Sequence, residues 1–218
     1  MKKIGVILSG CGVRDGSEIH EAVLALLAID RNGAKAVCLA PDMELNEVNH
    51  LSMKETGAKR NVLVESARIA RGEISDIKGV NASDLDAIVL PGGFGAAKNL
   101  CNFAAAGDQG SVQSEVLRLV REMAAANKPI CAICIAPTVI ALALGKDLAP
   151  QLTIGTDKGT AQAINATGSK HVNCEVSDIV IDKEHLVVTT PAYMLAGRIS
   201  EAAEGIEKAI KATLELIR

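Results

Sequence analysis

From Lys128 to Leu144 the chain reads Lys-Pro-Ile-Cys-Ala-Ile-Cys-Ile-Ala-Pro-Thr-Val-Ile-Ala-Leu-Ala-Leu, a short apolar strand that breaks at Cys134 and resumes as a helix. This is the pattern of a nucleophile elbow. A thiol set where strand turns into helix meets unpaired backbone N–H groups and the positive end of the helix dipole, both of which favour thiolate. Cys134 is therefore the expected reactive atom. Upstream, Pro91-Gly-Gly-Phe-Gly95 follows the apolar run Leu85–Leu90. Glycines there let backbone N–H groups approach a ligand oxygen closely, so Gly92 and Gly93, with the N–H of Ile135 in the elbow, are expected to form an oxyanion hole.

An acid is available on the first helix. Glu18 and Glu21 are three residues apart and share a face, whereas His20 is turned by about 100° from Glu21. One of these residues is expected to meet Cys134, and a carboxyl held beside a sulfur anion should have its pKa raised by the like charge. Cys11, in Ser9-Gly-Cys-Gly12 at the end of the first apolar run, stands on the same rim. There it either lines the pocket or packs.

Other readings of the motifs are weaker. Cys131 and Cys134 have CxxC spacing, but three extended steps span about 10 Å, too far for a disulfide. No second pair at ligand spacing completes a zinc site, so no metal is expected. Gly10-x-Gly12-x-x-x-Gly16 has one residue too many between its last glycines for a dinucleotide fingerprint, and no cofactor is assigned. The histidines, 20, 50, 171 and 185, form no visible Cys–His pair.

The elements that position these residues follow from periodicity. Apolar runs at Ile4–Leu8, Ala36–Leu39, Leu85–Leu90, Ile130–Ile133 and Leu186–Val188 read as strands, several buried on both faces. Amphipathic patterns at Ser17–Asn32, Val62–Arg71, Ser111–Asn127, Pro137–Leu144 and Ala192–Ile217 read as helices. Their alternation predicts a flavodoxin-like three-layer α/β/α sandwich around a mostly parallel sheet. Ser17 is expected to cap the first helix and Asn32-Gly33 to end it. Residues 41–79 are more charged and less periodic, and read as an insertion carrying one helix and covering the site, within a single domain of residues 1–218. Asn102–Ser111 reads as a mobile loop, and Ile179–Thr189 as a β-hairpin. Ligands of such sheets bind beyond the carboxyl ends of the strands, where Ser9–Gly12, Pro91–Gly93, Cys134 and Thr189–Ala192 should converge.

Composition narrows the partners. With 218 residues, 49% of them apolar, the chain can bury one large core, built from aliphatic side chains because there are two Phe, one Tyr and no Trp. Few aromatics, a net charge of −3 and no basic block argue against nucleic acid. Six scattered cysteines suggest free thiols in a reducing compartment, and the apolar start ends too soon for a signal peptide. No apolar stretch reaches the roughly 20 residues of a membrane span. A cytoplasmic protein acting on a small molecule is expected.

Leu90-Pro-Gly-Gly-Phe-Gly-Ala-Ala-Lys-Asn-Leu100, the elbow Ala132–Thr138 and Glu21 twelve residues before Gly33 resemble the PfpI superfamily of class I amidotransferase-like proteins. Asp15–Glu21, Leu152–Asp157 and Thr189–Met194 extend the resemblance, over nearly the whole chain, to a glyoxalase branch linked by name to isoprenoid (lycopene) biosynthesis. The resemblance places the nucleophile on Cys134, the helix-borne acid on Glu21 and the oxyanion glycines on Gly92 and Gly93. It implies a cofactor-independent glyoxalase, converting glyoxal to glycolate through a Cys134 hemithioacetal, with deglycase chemistry open to the same site. The alternative is a regulatory protein in which Cys134 is oxidised. The resemblance also implies a homodimer. The sequence departs from the superfamily at a histidine, absent around Gly155–Asp157, and at a His-x-Glu pair, replaced by Thr190-Pro191-Ala192. A protease triad and glutaminase chemistry are therefore not expected.

Overall fold

Ile130 and Ala132 enter one apolar cluster while Cys131 and Ile133 enter another. Likewise Ile88 and Leu90 face one way, and Ala87 and Val89 the other. Because successive strand residues point to opposite faces, one sheet carries a separate core on each side, which is the physical meaning of the unbroken apolar runs.

A computed structural model describes residues 1–218. In chain order the elements are β1 (Lys3–Ile7), α1 (Ile19–Arg31), β2 (Lys35–Ala40), β3 (Glu44–Asn49), β4 (Lys54–Asn61), α2 (Val62–Ile69) and β5 (Ile74–Asp76). Then follow β6 (Ala87–Leu90), α3 (Phe94–Lys98), α4 (Phe103–Ala106), α5 (Ser114–Ala125), β7 (Ile130–Ile133), α6 (Pro137–Leu148), β8 (Gln151–Leu152) and α7 (Lys158–Ala166). The chain ends with β9 (Lys170–His171), β10 (Val180–Asp182), β11 (Val187–Thr190) and α8 (Ile199–Glu215).

The main sheet has seven strands in the order β10-β11-β7-β6-β1-β2-β5, all parallel except for the antiparallel edge pair β10 and β11. Helices α1 and α8 pack over one face, with Ala22, Ala25, Ile206 and Ala209 in that core. Helices α5 and α6 contribute Val116, Leu119, Val139 and Ile140 to the other. The flavodoxin-like three-layer sandwich is the observed fold, and the hairpin expected near the C-terminus is β10–β11.

Several local expectations need correction. Glu18, not Ser17, caps α1, its side chain accepting the Glu21 N–H. Ser17 instead lies buried, with its hydroxyl accepting the Ser9 N–H at 2.9 Å. The helix does end at Asn32, with Gly33 left-handed at φ 70°. Segment 41–79 holds the hairpin β3–β4, helix α2 and the edge strand β5. None of its residues lines the cavity at Cys134. Instead it grips the β1–α1 loop from outside: Ser66 Oγ accepts the Gly10 N–H and Asp15 Oδ2 accepts the Val48 N–H. Segment 102–111 is tied down by helix α4 and by Asn102 Oδ1 accepting the Ser111 N–H at 2.6 Å. The last helix starts at Ile199, because Ala192–Met194 form a separate helical turn beside the site.

Candidate active site

Four adjacent strands, β1, β6, β7 and β11, deliver the site at their carboxyl ends. The thiol comes from the loop after β7, an acid from α1 after β1, backbone donors from the loop after β6, and a tyrosine from the turn after β11. Of the four motifs expected to converge, the loops after β6, β7 and β11 each supply a residue that lines the cavity at Cys134, whereas no residue of Ser9–Gly12 does.

Cys134 follows the last residue of β7 and takes a left-handed φ of 63°, although it is not a glycine. Such a conformation costs on the order of 1–3 kcal/mol and persists only where neighbours hold it. They do here: the Cys134 N–H donates to the Thr190 carbonyl at 2.9 Å, and Pro137 fixes the first turn of α6. The side chain is 7% exposed and borders a cavity of about 510 Å³.

Glu21 is fully buried at 0% exposure, two residues inside α1. Its Oε2 accepts the Gly92 N–H at 3.0 Å and its Oε1 accepts the Tyr193 N–H at 3.1 Å, so the carboxyl is held in one orientation from both sides. Burial is the main cause that lifts its pKa from 4.5 to about 7, opposed chiefly by the Tyr193 N–H and assisted by the charge of Glu18. The same pair pushes the other way as well. Burial first, then the Glu21 carboxylate, raises the Cys134 thiol well above its ordinary value, while the N–H groups of Gly93 and Ile135 favour the anion. The expectation that elbow N–H groups and helix dipole alone make a thiolate is therefore corrected. Desolvation outweighs them, and at neutral pH the Cys134–Glu21 pair keeps at least one proton.

Gly92 and Gly93 have different duties. The Gly92 N–H is spent on Glu21, so it is not a free oxyanion donor as expected. What matters at 92 is the missing Cβ, which would lie 2.5 Å from Cys134 Cβ and 2.6 Å from Glu21 Oε2. Gly93, at φ 93°, is pressed against the Glu18 backbone, where a Cβ would approach the amide nitrogen to 2.3 Å. Gly93 and Ile135 both line the cavity beside Cys134, and their N–H groups favour the sulfur anion.

Cys11 belongs elsewhere. It is half-buried, pairs through its backbone with Ser17, and feels the charges of Glu65, Arg68 and Asp15. It does not line the cavity at Cys134, because the Gly10-Cys11-Gly12 turn, with φ 115° and 143° at its glycines, directs it toward α2.

Of two further polar groups at the cavity, Glu18 is among the acids weighed on the first helix, whereas Tyr193 is not foreseen from the sequence. Glu18 lines the cavity while its Oε2 accepts the Glu21 N–H at 2.7 Å. Tyr193, the only tyrosine, also lines it, and its hydroxyl is 2.9 Å from His20 Nδ1. The turning of His20 away from Glu21 is what brings it to Tyr193, a partner 173 residues away that no local pattern reveals. No histidine lines the cavity, in keeping with the departures noted from the sequence. No group of three or more His, Cys, Asp or Glu side chains is arranged to hold a metal ion.

A buried thiol at a strained strand-to-helix turn, paired with an acid from the first helix of a parallel α/β sandwich, defines a class of amidotransferase-like proteins. The chain belongs to the DJ-1/PfpI family, whose model matches residues 13–194. It is 41% identical to the human glutamine amidotransferase-like class 1 domain-containing protein 3, mitochondrial, over 98% of this chain and 83% of that protein. It is also 41% identical to the rat ES1 protein homolog, mitochondrial, over 98% of this chain and 84% of the relative. A crystal structure of an isoprenoid biosynthesis protein with an amidotransferase-like domain from Ehrlichia chaffeensis superposes with a TM-score of 0.93 at 36% identity, covering 100% of both chains. The mitochondrial names overturn the cytoplasmic expectation. Free thiols report a reducing environment without saying which one. No helix is long and apolar enough to cross a membrane, which does not separate the two locations either.

Proposed function

We propose that the protein is a cofactor-independent glyoxalase, converting glyoxal to glycolate at Cys134. The observation that carries this reading is the proton-sharing pair: a thiol raised by burial at the wall of the cavity, beside a carboxyl raised to about 7 that is buried behind it. A carboxyl with a pKa near neutrality both takes and returns a proton at working pH.

The steps balance without a further reactant except water. Ionised Glu21 takes the thiol proton as sulfur attacks an aldehyde carbon and passes it on to the hemithioacetal oxygen, which leaves the carboxylate ionised again. Glu21 then removes the hydrogen from that carbon and delivers a proton to its neighbour through an enediol, leaving a thioester. Water hydrolyses the thioester to the hydroxy acid and frees the thiol. Gly93 and Ile135 share the cavity wall with Cys134, and their N–H groups are the donors assigned to the developing oxyanion. The Tyr193 phenol, kept protonated by burial and by the charges of Glu18 and Glu21, is the donor suited to the second carbonyl.

The same hemithioacetal chemistry extends to adducts of dicarbonyls on proteins, which supports a deglycase role at one site. A sensor role for an oxidised Cys134 draws on the same sulfur, but oxidation needs thiolate, which burial and Glu21 disfavour. Glyoxal consumption with stoichiometric glycolate supports the enzyme, whereas peroxide-dependent mass gain without turnover supports the sensor. The names of its relatives favour a mitochondrial setting, and one places a relative in isoprenoid biosynthesis. We assign homodimer contact to α1, where Ile19, Val23 and Leu27 are 43%, 48% and 40% exposed in one line at four-residue spacing.

A further inference from the structure

All of the chain's Phe and Tyr side chains are in one place. The protein has two Phe, one Tyr and no Trp, and Phe94, Phe103 and Tyr193 all line the cavity at Cys134. Neither core uses Phe94 or Tyr193 as a fully buried member, and apart from Phe103 both cores are built of aliphatic, Cys and Met side chains. Phe94 is 42% exposed, an unfavourable placement for a large apolar ring unless something covers it.

The cavity is also too large for glyoxal. At about 510 Å³ it lies in the range of pockets that hold molecules of drug size. A four-heavy-atom dicarbonyl fills roughly the share of two or three waters, on the order of 60–90 Å³. Nine of its thirteen lining residues are hydrophobic, so the surplus space is apolar.

Its charges have one sign. Glu18 and Asp157 line the cavity, and no Lys, Arg or His does. The Thr160 backbone N–H and side chain hold the Asp157 carboxyl below its ordinary range, so it is ionised at neutral pH. Arg14 and Lys98 stand over the Phe94 ring, 5.1 Å and 6.0 Å from its centroid, without lining the cavity themselves. An anionic substituent would meet two carboxylates and no partner inside.

Resting on the glyoxalase reading for its chemistry, we propose that the site selects 2-oxoaldehydes carrying an uncharged aromatic or bulky apolar substituent, and rejects those carrying an anion. Phe94, Phe103, Tyr193 and Met194 hold the substituent, and Glu18 and Asp157 exclude carboxylates and phosphates. The dicarbonyl head sits at Cys134 and the tail fills the volume that glyoxal leaves empty.

The test compares glyoxal, phenylglyoxal and 4-carboxyphenylglyoxal, read as glycolate, mandelate and 4-carboxymandelate so that arginine modification does not count. Phenylglyoxal is expected to exceed glyoxal in kcat/KM by tenfold or more, and the carboxylated analogue to fall at least tenfold below phenylglyoxal. Phe94→Ala should narrow the first ratio. Asp157→Asn, which keeps the helix cap, should narrow the second. Ratios near one in the wild type would overturn the selectivity while leaving the glyoxalase reading intact. Should no dicarbonyl turn over, that reading fails, and alkylation judges the pocket alone. Cys134 labelling followed by mass spectrometry should then run faster with N-benzyl iodoacetamide than with iodoacetamide, and slowest with iodoacetate, relative to a free thiol. Equal relative rates would overturn the proposal.

Discussion

Glu21 and Cys134 meet across a gap that only a glycine fits: a Cβ at position 92 would stand 2.6 Å from Glu21 Oε2 and 2.5 Å from Cys134 Cβ. The third neighbour, the Ile133 carbonyl oxygen at 2.9 Å, is backbone and cannot swing aside. Gly92→Ala must therefore separate acid from sulfur or distort the end of β7. A loss of at least 100-fold in kcat and about 1–3 kcal/mol in stability is expected from overpacking. Denaturant unfolding and steady-state rates check both.

The raised pKa of Glu21 has a signed consequence for stability. Between its ordinary value of 4.5 and about 7 the folded state holds a proton that the unfolded chain has released. Stability therefore falls as pH rises through that window, by a step on the order of 3 kcal/mol from this group. Unfolding free energies of the wild type and Glu21→Gln, measured from pH 4.5 to 8, should diverge by such a step. Parallel curves would contradict the assignment. Activity should move the other way, with kcat/KM rising through about pH 7 as the pair loses its first proton.

Tyr193 holds Glu21 through its backbone N–H and meets His20 Nδ1 through its hydroxyl, at the edge of the cavity its side chain lines. Tyr193→Phe removes only the second. A fall in kcat of about tenfold, with stability changed by less than about 1 kcal/mol, is expected from the loss of one donor to the substrate. An unchanged kcat would show that the phenol only packs.

The exposed line of Ile19, Val23 and Leu27 on α1 should carry subunit contact. Val23→Glu with Leu27→Glu is expected to convert a dimer to a monomer in light scattering, since each introduced charge must be desolvated to restore the contact. A wild type that is already monomeric would remove this assignment.

Much of this site was legible in the sequence, because strand-length apolar runs ending at Cys134, Pro91 and Thr190 follow simple periodicity and sheet topology then brings them to one edge. Glu21 was placed by helix position and resemblance alone; in the fold it is buried, with its carboxyl held by the Gly92 and Tyr193 N–H groups. The direction of a single N–H was not legible: Gly92 serves Glu21 rather than an oxyanion, which depends on a helix packed 71 residues away in sequence. Nor was the Tyr193–His20 contact, for the same reason. The charge state of Cys134 was misjudged because local dipoles were weighed without the desolvation that only a packed structure supplies. The short edge strand β5, three residues long, carries too little pattern to read.

The claim on which the rest depends is that Cys134, with Glu21 as its proton carrier, converts a dicarbonyl to a hydroxy acid. Glycolate formed from glyoxal by the wild type and by Cys134→Ser, with both proteins shown to be folded, tests it most directly. Stoichiometric glycolate from the wild type and a loss of 1,000-fold or more in the variant are predicted; equal turnover by the two, or none by the wild type, would contradict the account.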